Sequence, residues 1–231
     1  MEQPLGRHAA LEQTANHIHL AFNTPRQILS SAVLNGGMVE ASHIVNLKVP
    51  KHASASELPE YTLSKYCEQA NWHGRHVGMM TAASMDSLRM VQESIQGIDL
   101  IVLVTSGLSN PRRAGDHAEH RLMAAQSEPI GTINIIVLTS ALLTDAAMVE
   151  ALLIITEAKA AVLEDAGIFS PVSNKIATGT GTDSVAMVNG QGPHTVRYCG
   201  KHVLFGEVLG RMVSEAVASS IDWDRANLTT A

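Results

Sequence analysis

The stretch TGTGTD, from Thr178 to Asp183, concentrates small polar residues immediately before an apolar segment. A phosphate-binding P-loop ends in Lys followed by Ser or Thr, and this stretch contains no Lys. Its hydroxyls and backbone N–H groups can instead face a carbonyl group, or they can satisfy backbone groups within a tight turn. The residue types alone leave both interpretations open.

Four side chains have types and positions suited to acid–base or electrostatic roles. Asp183 ends the Thr/Gly stretch where a loop meets a strand, and Lys159 falls in the middle of the apolar face of a predicted helix. His202 lies near the start of the last predicted helix, where a neutral imidazole can act as a base. Asn134 is a polar residue within the apolar strand GTINIIV and can donate to an oxyanion. Capping, snorkelling and ordinary hydrogen bonding are the structural alternatives for these residues.

Composition and apolar patterning argue against several classes of function. The formal net charge of -6 and the aromatic content of 3% disfavour nucleic acid, whose phosphates would be repelled and whose bases stack on aromatic rings. No uninterrupted apolar run reaches the length of a membrane span, and no signal peptide is evident. We therefore expect a soluble cytoplasmic protein with no nucleic-acid partner and no membrane partner.

Metal and nucleophile motifs are weak in this chain. Two H-x-x-H pairs, His73 with His76 and His117 with His120, lack a carboxylate at a signature position, so we expect no metal held by the protein. No G-x-S-x-G motif is present, and the two cysteines match no redox or metal spacing.

Apolar periodicity outlines the elements. Alternating residues predict strands around a turn at Asn35, Gly36 and Gly37, and continuous apolar runs predict buried strands at 76–81, 98–106 and 131–140. A short helix is expected at about 63–70 and another between 85 and 95. Thr144 and Gly167 bound the clearest helix, and the last helix is expected from about Lys201 to Ser219. The segment TVRYCG is expected to pair with the strand SVAMV.

These elements predict an α+β fold in a single domain covering residues 1–231. We expect a mostly antiparallel or mixed sheet with two main helices packed on it. Residues 1–15 can form a looser N-terminal segment, and a homo-oligomer is compatible with the sequence.

Eight motifs in this order, from about Leu29 to Val217, resemble the adenosylcobinamide amidohydrolase family of corrinoid salvage. They are SSAVLNGG, HIVNLKV, VGMMTAA, TSGLSNPRRAGD, GTINIIV, LTDAAMVEALLIITEAKAAVLEDAGI, ATGTGTDSVAMV and GKHVLFGEVLGRMVSEAV.

The resemblance implies hydrolysis of the amide between a corrin propionyl side chain and the aminopropanol arm, giving adenosylcobyric acid and 1-aminopropan-2-ol for cobalamin synthesis. The partner is then a corrinoid small molecule, and no cofactor is required because the substrate carries the cobalt. The cobalt-binding pattern D-x-H-x-x-G is absent, so His202 is not expected to bind that cobalt.

Under this resemblance, the Thr178 to Asp183 loop is a polar rim for the amide, with Thr178, Gly179 and Thr180 as substrate-binding residues. Asp183 or His202 accepts a proton from water, or from Thr182 in a covalent route. Lys159 and Asn134 polarise the carbonyl or hold the arm.

The remaining residues are weaker candidates for binding the corrinoid substrate. Asn35 and Asn46 are expected to contact peripheral amides of the ring, and Glu207 matches the family's G-E pair but lies on the outer helix face. Three methionines form either a floor for the corrin or ordinary core: Met79, Met80 and Met187.

Two other functions remain open. One is a corrinoid-binding carrier that leaves the amide intact. The other is a threonine-nucleophile amidase or aminopeptidase, because the run from Ile133 to Leu153 faintly resembles self-processing aminopeptidases. A self-processing enzyme would appear as two chains in a mass spectrum.

Overall fold

The structure, a computed structural model, describes residues 2–5, 8–50, 57–118 and 131–228. It contains three α-helices: α1 (Pro59–Gln69), α2 (Asp145–Asp165) and α3 (Leu204–Leu228). The strands are β1 (Glu2–Leu5), β2 (Ala9–Gln13), β3 (His17–Ser30), β4 (Gly37–Lys48), β5 (His76–Thr81), β6 (Arg89–Ile95), β7 (Ile98–Ser106), β8 (Pro111–Arg112), β9 (Ile133–Thr139), β10 (Leu142–Leu143), β11 (Gly179–Thr180), β12 (Ser184–Val188) and β13 (Thr195–Val196).

Nine strands form one mixed sheet. Its main path runs β1-β2-β3-β12-β9-β7-β6, while β4 pairs with β3 and carries β5 on its other side. The β12–β9 and β4–β5 pairs are parallel, and the other pairs are antiparallel. The predicted hairpin turn is confirmed, because Asn35 and Gly37 adopt positive φ angles of 54° and 86° between β3 and β4. The expected α+β class with a mixed sheet is likewise confirmed.

The two long helices cover one face of the sheet. Thr144 caps α2 by accepting a hydrogen bond from the Ala147 N–H at 3.2 Å, and Gly167 follows its end with a φ of 62°. Inward side chains of α2 and α3 pack on alternate residues of β7, β9 and β12 in the largest hydrophobic cluster. Alternate residues of the same strands pack on the other face, in a cluster shared with β1 to β5. The strands are therefore buried on both faces, which explains their continuous apolar sequence.

Two sequence expectations are wrong. Only Met85–Ser87 form a short 3-10 helix in the segment 85–95, and β6 follows, paired with β7 through a two-residue turn at Gln96 and Gly97. Both turn residues have positive φ, 48° and 80°, as a type I′ hairpin requires. β13 pairs with β10 and not with β12, because β12 already has β3 and β9 on its two edges.

The last helix begins and ends later than expected. It continues nine residues beyond Ser219 to Leu228. Ser220, a modest helix former, is fully buried there, and its hydroxyl donates to the Ser87 carbonyl at 2.8 Å. Tertiary contacts thus keep the chain helical beyond Ser219, where the sequence predicts the end of the helix.

The first 15 residues contribute β1 and β2 to the sheet in the part that the structure describes. Leu5 and Leu11 have only 2% and 1% of their surfaces exposed. Among the described helices, no segment is long and apolar enough to cross a membrane.

Candidate functional site

A lysine on α2 and an aspartate before β12 form a buried ion pair beside the Thr/Gly loop. Lys159 lies on the helix face that packs against the sheet, with 6% of its surface exposed. Asp183 is the last loop residue before β12, and 10% of its side chain is exposed. Lys159 Nζ donates to Asp183 Oδ2. The structure thus brings together two residues that the sequence singled out separately.

Asp183 accepts hydrogen bonds on both carboxylate oxygens. Oδ1 accepts from the Ile133 N–H at 2.9 Å and from the Thr180 hydroxyl at 2.5 Å. Oδ2 accepts from the Thr180 N–H at 3.0 Å in addition to Lys159. A carboxylate offers about four acceptor positions, so these donors fill it. Asp183 therefore organises the loop, and a water molecule reaches its oxygens only by displacing a donor.

The hydroxyls of the loop converge on the carbonyl of Gly131, just before β9. Thr182 Oγ1 donates to the Gly131 oxygen at 2.9 Å and lies 2.8 Å from Thr132 Oγ1. Thr180 Oγ1 is 3.1 Å from the same carbonyl oxygen, but its one proton serves one acceptor at a time. The shorter distance favours Asp183 as that acceptor.

A short β-ribbon holds the start of the loop. β11 pairs antiparallel with β8. The Thr178 N–H donates to the Arg112 carbonyl at 2.9 Å, and Thr178 Oγ1 accepts from the Ala114 N–H at 2.9 Å. Gly179 has no room for a side chain, because a Cβ there would overlap the Asp183 carboxylate and lie 2.8 Å from Lys159 Nζ. The backbone at Gly179 is thus packed directly against the ion pair.

A cleft of about 360 Å³ opens at the same end of the sheet. Segments that follow β4, β5 and β7 line it together with the last turns of α3, and Gly131 belongs to its wall. Gly131 accepts from Thr182, and the Thr180 hydroxyl that donates to Asp183 lies 3.1 Å from the same Gly131 oxygen, so the cleft wall lies close to Asp183. We call this space the Gly131 cleft.

Asn46 and Asn134 lie on the opposite face of the sheet from the ion pair. Strand side chains alternate between faces, and Asn134 shares its face with Ile136, whereas Ile133 faces the helices. Asn134 Nδ2 donates to Asn46 Oδ1 at 2.8 Å and to the Met80 carbonyl at 3.0 Å. Its Oδ1 accepts from the Ser184 N–H at 3.1 Å. The pair therefore joins β9 to β4 and β5, which do not neighbour it in the sheet, through internal hydrogen bonds.

Three other candidates lie away from the ion pair. His202 is exposed just before α3. It follows Cys199 by three residues, and the Cys199 N–H donates to Glu150 Oε2 at 2.6 Å, which places this segment beside Glu150 of α2. Glu150 and Lys159 are nine residues apart on α2, which corresponds to about 14 Å along the helix axis. Glu207 is exposed in the first turn of α3, at the same distant end. Asn35 is exposed in the β3–β4 turn, where its Nδ2 donates to the His76 carbonyl at 2.7 Å.

Histidines from three strands form a stack with Trp72 on the outer face of the sheet. Trp72 stacks on His19 with ring centroids 3.6 Å apart, and His43 stacks between His19 and His76 at 5.1 Å and 4.7 Å. His43 Nε2 must donate to the His73 carbonyl at 2.8 Å, so His43 Nδ1 accepts from His19 Nε2 at 3.1 Å. We call these four rings, Trp72, His19, His43 and His76, the histidine stack.

Burial keeps two histidines of the stack, His19 and His76, neutral. It lowers the pKa of His19 from 6.5 to about 3 and that of His76 to about 4, and the neighbouring imidazoles lower both further. His76 Nε2 is buried with no hydrogen-bond partner in the described residues. Glu12, His17 and Tyr66 flank the stack, where His17 Nδ1 lies 2.8 Å from the Tyr66 hydroxyl.

Neither H-x-x-H motif forms a metal cluster among the described residues. His76 belongs to the stack, whereas His73 is exposed and contributes its backbone carbonyl. His117 is exposed, and His120 lies outside the described residues. No group of three or more His, Cys, Asp or Glu side chains in the described ranges is placed to hold a metal ion.

Sequence reasoning missed several polar neighbours of the candidate residues. Thr132 supports Thr182, and Thr105 accepts from Asn46 Nδ2 at 2.8 Å. In the sequence, these two threonines are marked only by a hydroxyl at one end of an apolar run. Hydroxyls in such positions are common in strands. The histidine stack had no signal at all, because its members come from distant parts of the sequence.

Comparisons with known proteins agree with the motif order. The adenosylcobinamide amidohydrolase family model matches residues 3–227. An adenosylcobinamide amidohydrolase of Methanosarcina mazei is 26% identical over 201 residues, covering 83% of this chain and 88% of that protein. One of Halobacterium salinarum is 28% identical over 191 residues, covering 81% and 77%. An uncharacterized protein of Methanocaldococcus jannaschii is 33% identical over 157 residues, 62% of this chain and 61% of that relative's length.

Solved structures of aminopeptidases share a low structural similarity with this chain. A beta-aminopeptidase of Burkholderia sp. has a TM-score of 0.44 and 11% identity, covering 96% of this chain and 80% of that one. An L-aminopeptidase D-Ala-esterase/amidase of Ochrobactrum anthropi has a TM-score of 0.40 and 9% identity, covering 95% and 80%. The family match extends over nearly the whole chain, and the chain belongs to the adenosylcobinamide amidohydrolase family.

Proposed function

We propose that the protein hydrolyses the amide between the corrin propionyl side chain and the aminopropanol arm of adenosylcobinamide. The products are adenosylcobyric acid and 1-aminopropan-2-ol, and the reaction serves corrinoid salvage. The family match over residues 3–227 supports the substrate class. We place the reaction at the buried Lys159–Asp183 ion pair, because this pair lies beside a loop of hydroxyl and amide donors.

Lys159 is proposed to stabilise the oxyanion. Its ammonium has three N–H donors and gives one to Asp183, which leaves two for the substrate carbonyl. Charge that develops on that oxygen in the tetrahedral intermediate gains most from a fixed cation with little surrounding water. Asp183 orients the ammonium, and Gly179 allows the loop backbone to approach it.

The attacking oxygen is proposed to lose its proton at Asp183 Oδ1. In a water route, water takes the place of the Thr180 hydroxyl there and attacks the carbonyl carbon. In a covalent route, Thr180 itself attacks, since its hydroxyl already lies 2.5 Å from Oδ1. In both routes the C–N bond breaks and the nitrogen takes up this proton, so the amine is released neutral and takes a second proton from solvent. In the covalent route a water molecule then gives a proton to Asp183 and attacks the ester carbonyl. The C–O bond to Thr180 breaks as its oxygen takes that proton back, which releases the acid. Thr182, bonded to Thr132 and Gly131, supports the loop in this scheme.

Asn46 and Asn134 are proposed to hold the strands behind the site, and His202, Glu207 and Asn35 take no part in the chemical step. The cobalt ion is part of the substrate, so we propose that hydrolysis needs no metal held by the protein. Activity should then survive treatment of the enzyme with a chelator.

Three variants test this assignment with adenosylcobinamide as the substrate. Lys159→Met should lower kcat by about 10²-fold or more, as loss of an oxyanion donor does. Because a broken buried ion pair also destabilises the fold, the double variant Lys159→Met/Asp183→Asn serves as a folded, inactive companion. Glu207→Gln is the exposed control and should keep full activity.

The outcome also separates the two routes. Intact mass measured early in turnover should show an added corrinoid acyl group on the protein only in the covalent route, and Thr180→Val should abolish it. Full activity of Lys159→Met would contradict the proposed site. Binding of adenosylcobinamide without turnover by the unsubstituted protein would favour a carrier instead.

A further inference from the structure

The Gly131 cleft lies beside the proposed reaction centre but contains neither member of the ion pair. Gly131 forms part of its wall, and the carbonyl of Gly131 accepts from Thr182 at 2.9 Å. Thr180 spans the short distance between this carbonyl and Asp183, at 3.1 Å and 2.5 Å. A group bonded to the reacting carbonyl therefore has an adjoining space to enter.

The volume of this cleft suits a short chain rather than a macrocycle. At about 360 Å³ it lies near the lower end of the range of small-molecule sites, about 300–1,000 Å³. Two small residues pack closely in its wall, since a Cβ at Gly107 would lie only 3.0 Å from the Ala83 Cβ. A corrin ring would have to remain outside this space.

The chemistry of the walls matches an amphipathic amine. Val49, Ala83 and Leu108 supply apolar surface, and Ser109 supplies a hydroxyl. Asp224 supplies a carboxylate that is 9% exposed and accepts from the Leu108 N–H at 3.0 Å. The exposed Lys48 also lines the cleft, so the wall is mixed. In this wall the Asp224 carboxylate attracts an ammonium ion, while the apolar atoms accommodate a methyl group.

We infer that the Gly131 cleft is the leaving-group site, which binds the short amino-alcohol arm and holds it as an ammonium ion after the amide bond breaks. This inference rests on the proposed hydrolysis, because it assigns the two sides of the scissile bond. The acyl side with its ring lies over the Thr/Gly loop, and the amine side enters the cleft.

A bulky residue at the cleft wall tests the inference with a matched control. Asn227 lines the cleft from the exposed end of α3, and its neighbour Ala226 is also exposed but does not line it. Asn227→Trp should lower kcat/KM for adenosylcobinamide by about tenfold or more, as a filled pocket does, whereas Ala226→Trp should leave it unchanged. Equal activity of both variants and the unsubstituted enzyme would overturn the inference and leave the proposed function standing.

A binding measurement tests the cleft without turnover. The indole N–H signal of Trp223, which lines the cleft, is assigned by NMR with Trp72→Phe, since the chain has two tryptophans. Added 1-aminopropan-2-ol should shift this signal in a saturable way, and Asn227→Trp should weaken the effect at least several-fold. Absence of a saturable shift would overturn the leaving-group site. If the shift occurs but adenosylcobinamide is not hydrolysed, the proposed function fails while the amine site stands.

Discussion

Acidification from pH 7 to pH 5 should destabilise the protein through the histidine stack. The imidazoles of His19 and His76 have pKa values of about 3 and about 4 in the folded chain, against 6.5 without burial. Below pH 6.5 the unfolded chain therefore binds protons that the folded chain does not bind. Stability is unaffected above that pH and falls as the pH decreases towards the folded pKa values.

The expected loss is about 2 kcal/mol. At pH 5 both imidazoles stay neutral in the folded chain, whereas this pH is about 1.5 units below the pKa of an unperturbed histidine. One unit corresponds to 1.36 kcal/mol, so each residue contributes about 2 kcal/mol and the pair about 4 kcal/mol. Because His43 and Trp72, which stack on the two sides of His19, are partly exposed, we take about half of this value.

Urea unfolding at pH 7, 6 and 5 measures this loss, with the free energy of unfolding extrapolated to zero urea. The variant His19→Phe/His76→Phe keeps two aromatic rings in the stack but removes their titration. Its free energy of unfolding should change by less than about 0.5 kcal/mol over the same range. Asp116 does not interfere, because the hydrogen bond from the Ser170 hydroxyl helps to lower its pKa to about 2.

The exposed His202 provides the control, since His202→Gln should leave the wild-type pH dependence intact. If the Phe double variant and the wild type lose stability in parallel between pH 7 and pH 5, the histidine stack is not the cause of the loss. A wild-type free energy of unfolding that stays constant over this range would contradict the expected protonation of the unfolded chain.

Two further predictions concern the loop and the thiols. Gly179→Ala should reduce activity by about 10²-fold or more because its Cβ would displace the ion pair, whereas Gly181→Ala faces only the flexible Asn110 amide at 2.9 Å and should stay active in the same assay. Cys67 and Cys199 should not react with a thiol reagent in native protein, because burial raises their pKa values to about 11 and about 12; rapid labelling before unfolding would contradict this.

Local patterns predicted much of the fold. The turn at Asn35 to Gly37 and the helix between Thr144 and Gly167 follow from residue types that act on their nearest neighbours. The strand β6 was missed because Gln96 and Gly97 form a type I′ turn without the usual Asn-Gly or Asp-Gly pair. The contacts of β6 with β7 and α3 then decide its conformation.

The candidate site was predicted in part for the same reason. Lys159 and Asp183 each stood out locally, one as a charge on an apolar face and the other at a loop end. Their pairing, across 24 residues, depends on how α2 lies on the sheet. Asn134 also stood out, but strand alternation places it on the other face, beside Asn46, 88 residues away.

Incubation of the purified protein with adenosylcobinamide, followed by chromatography with mass detection, tests the proposed hydrolysis. We expect adenosylcobyric acid and 1-aminopropan-2-ol in equal amounts, and no conversion by Lys159→Met/Asp183→Asn. Unchanged adenosylcobinamide after incubation with folded wild-type protein would contradict it.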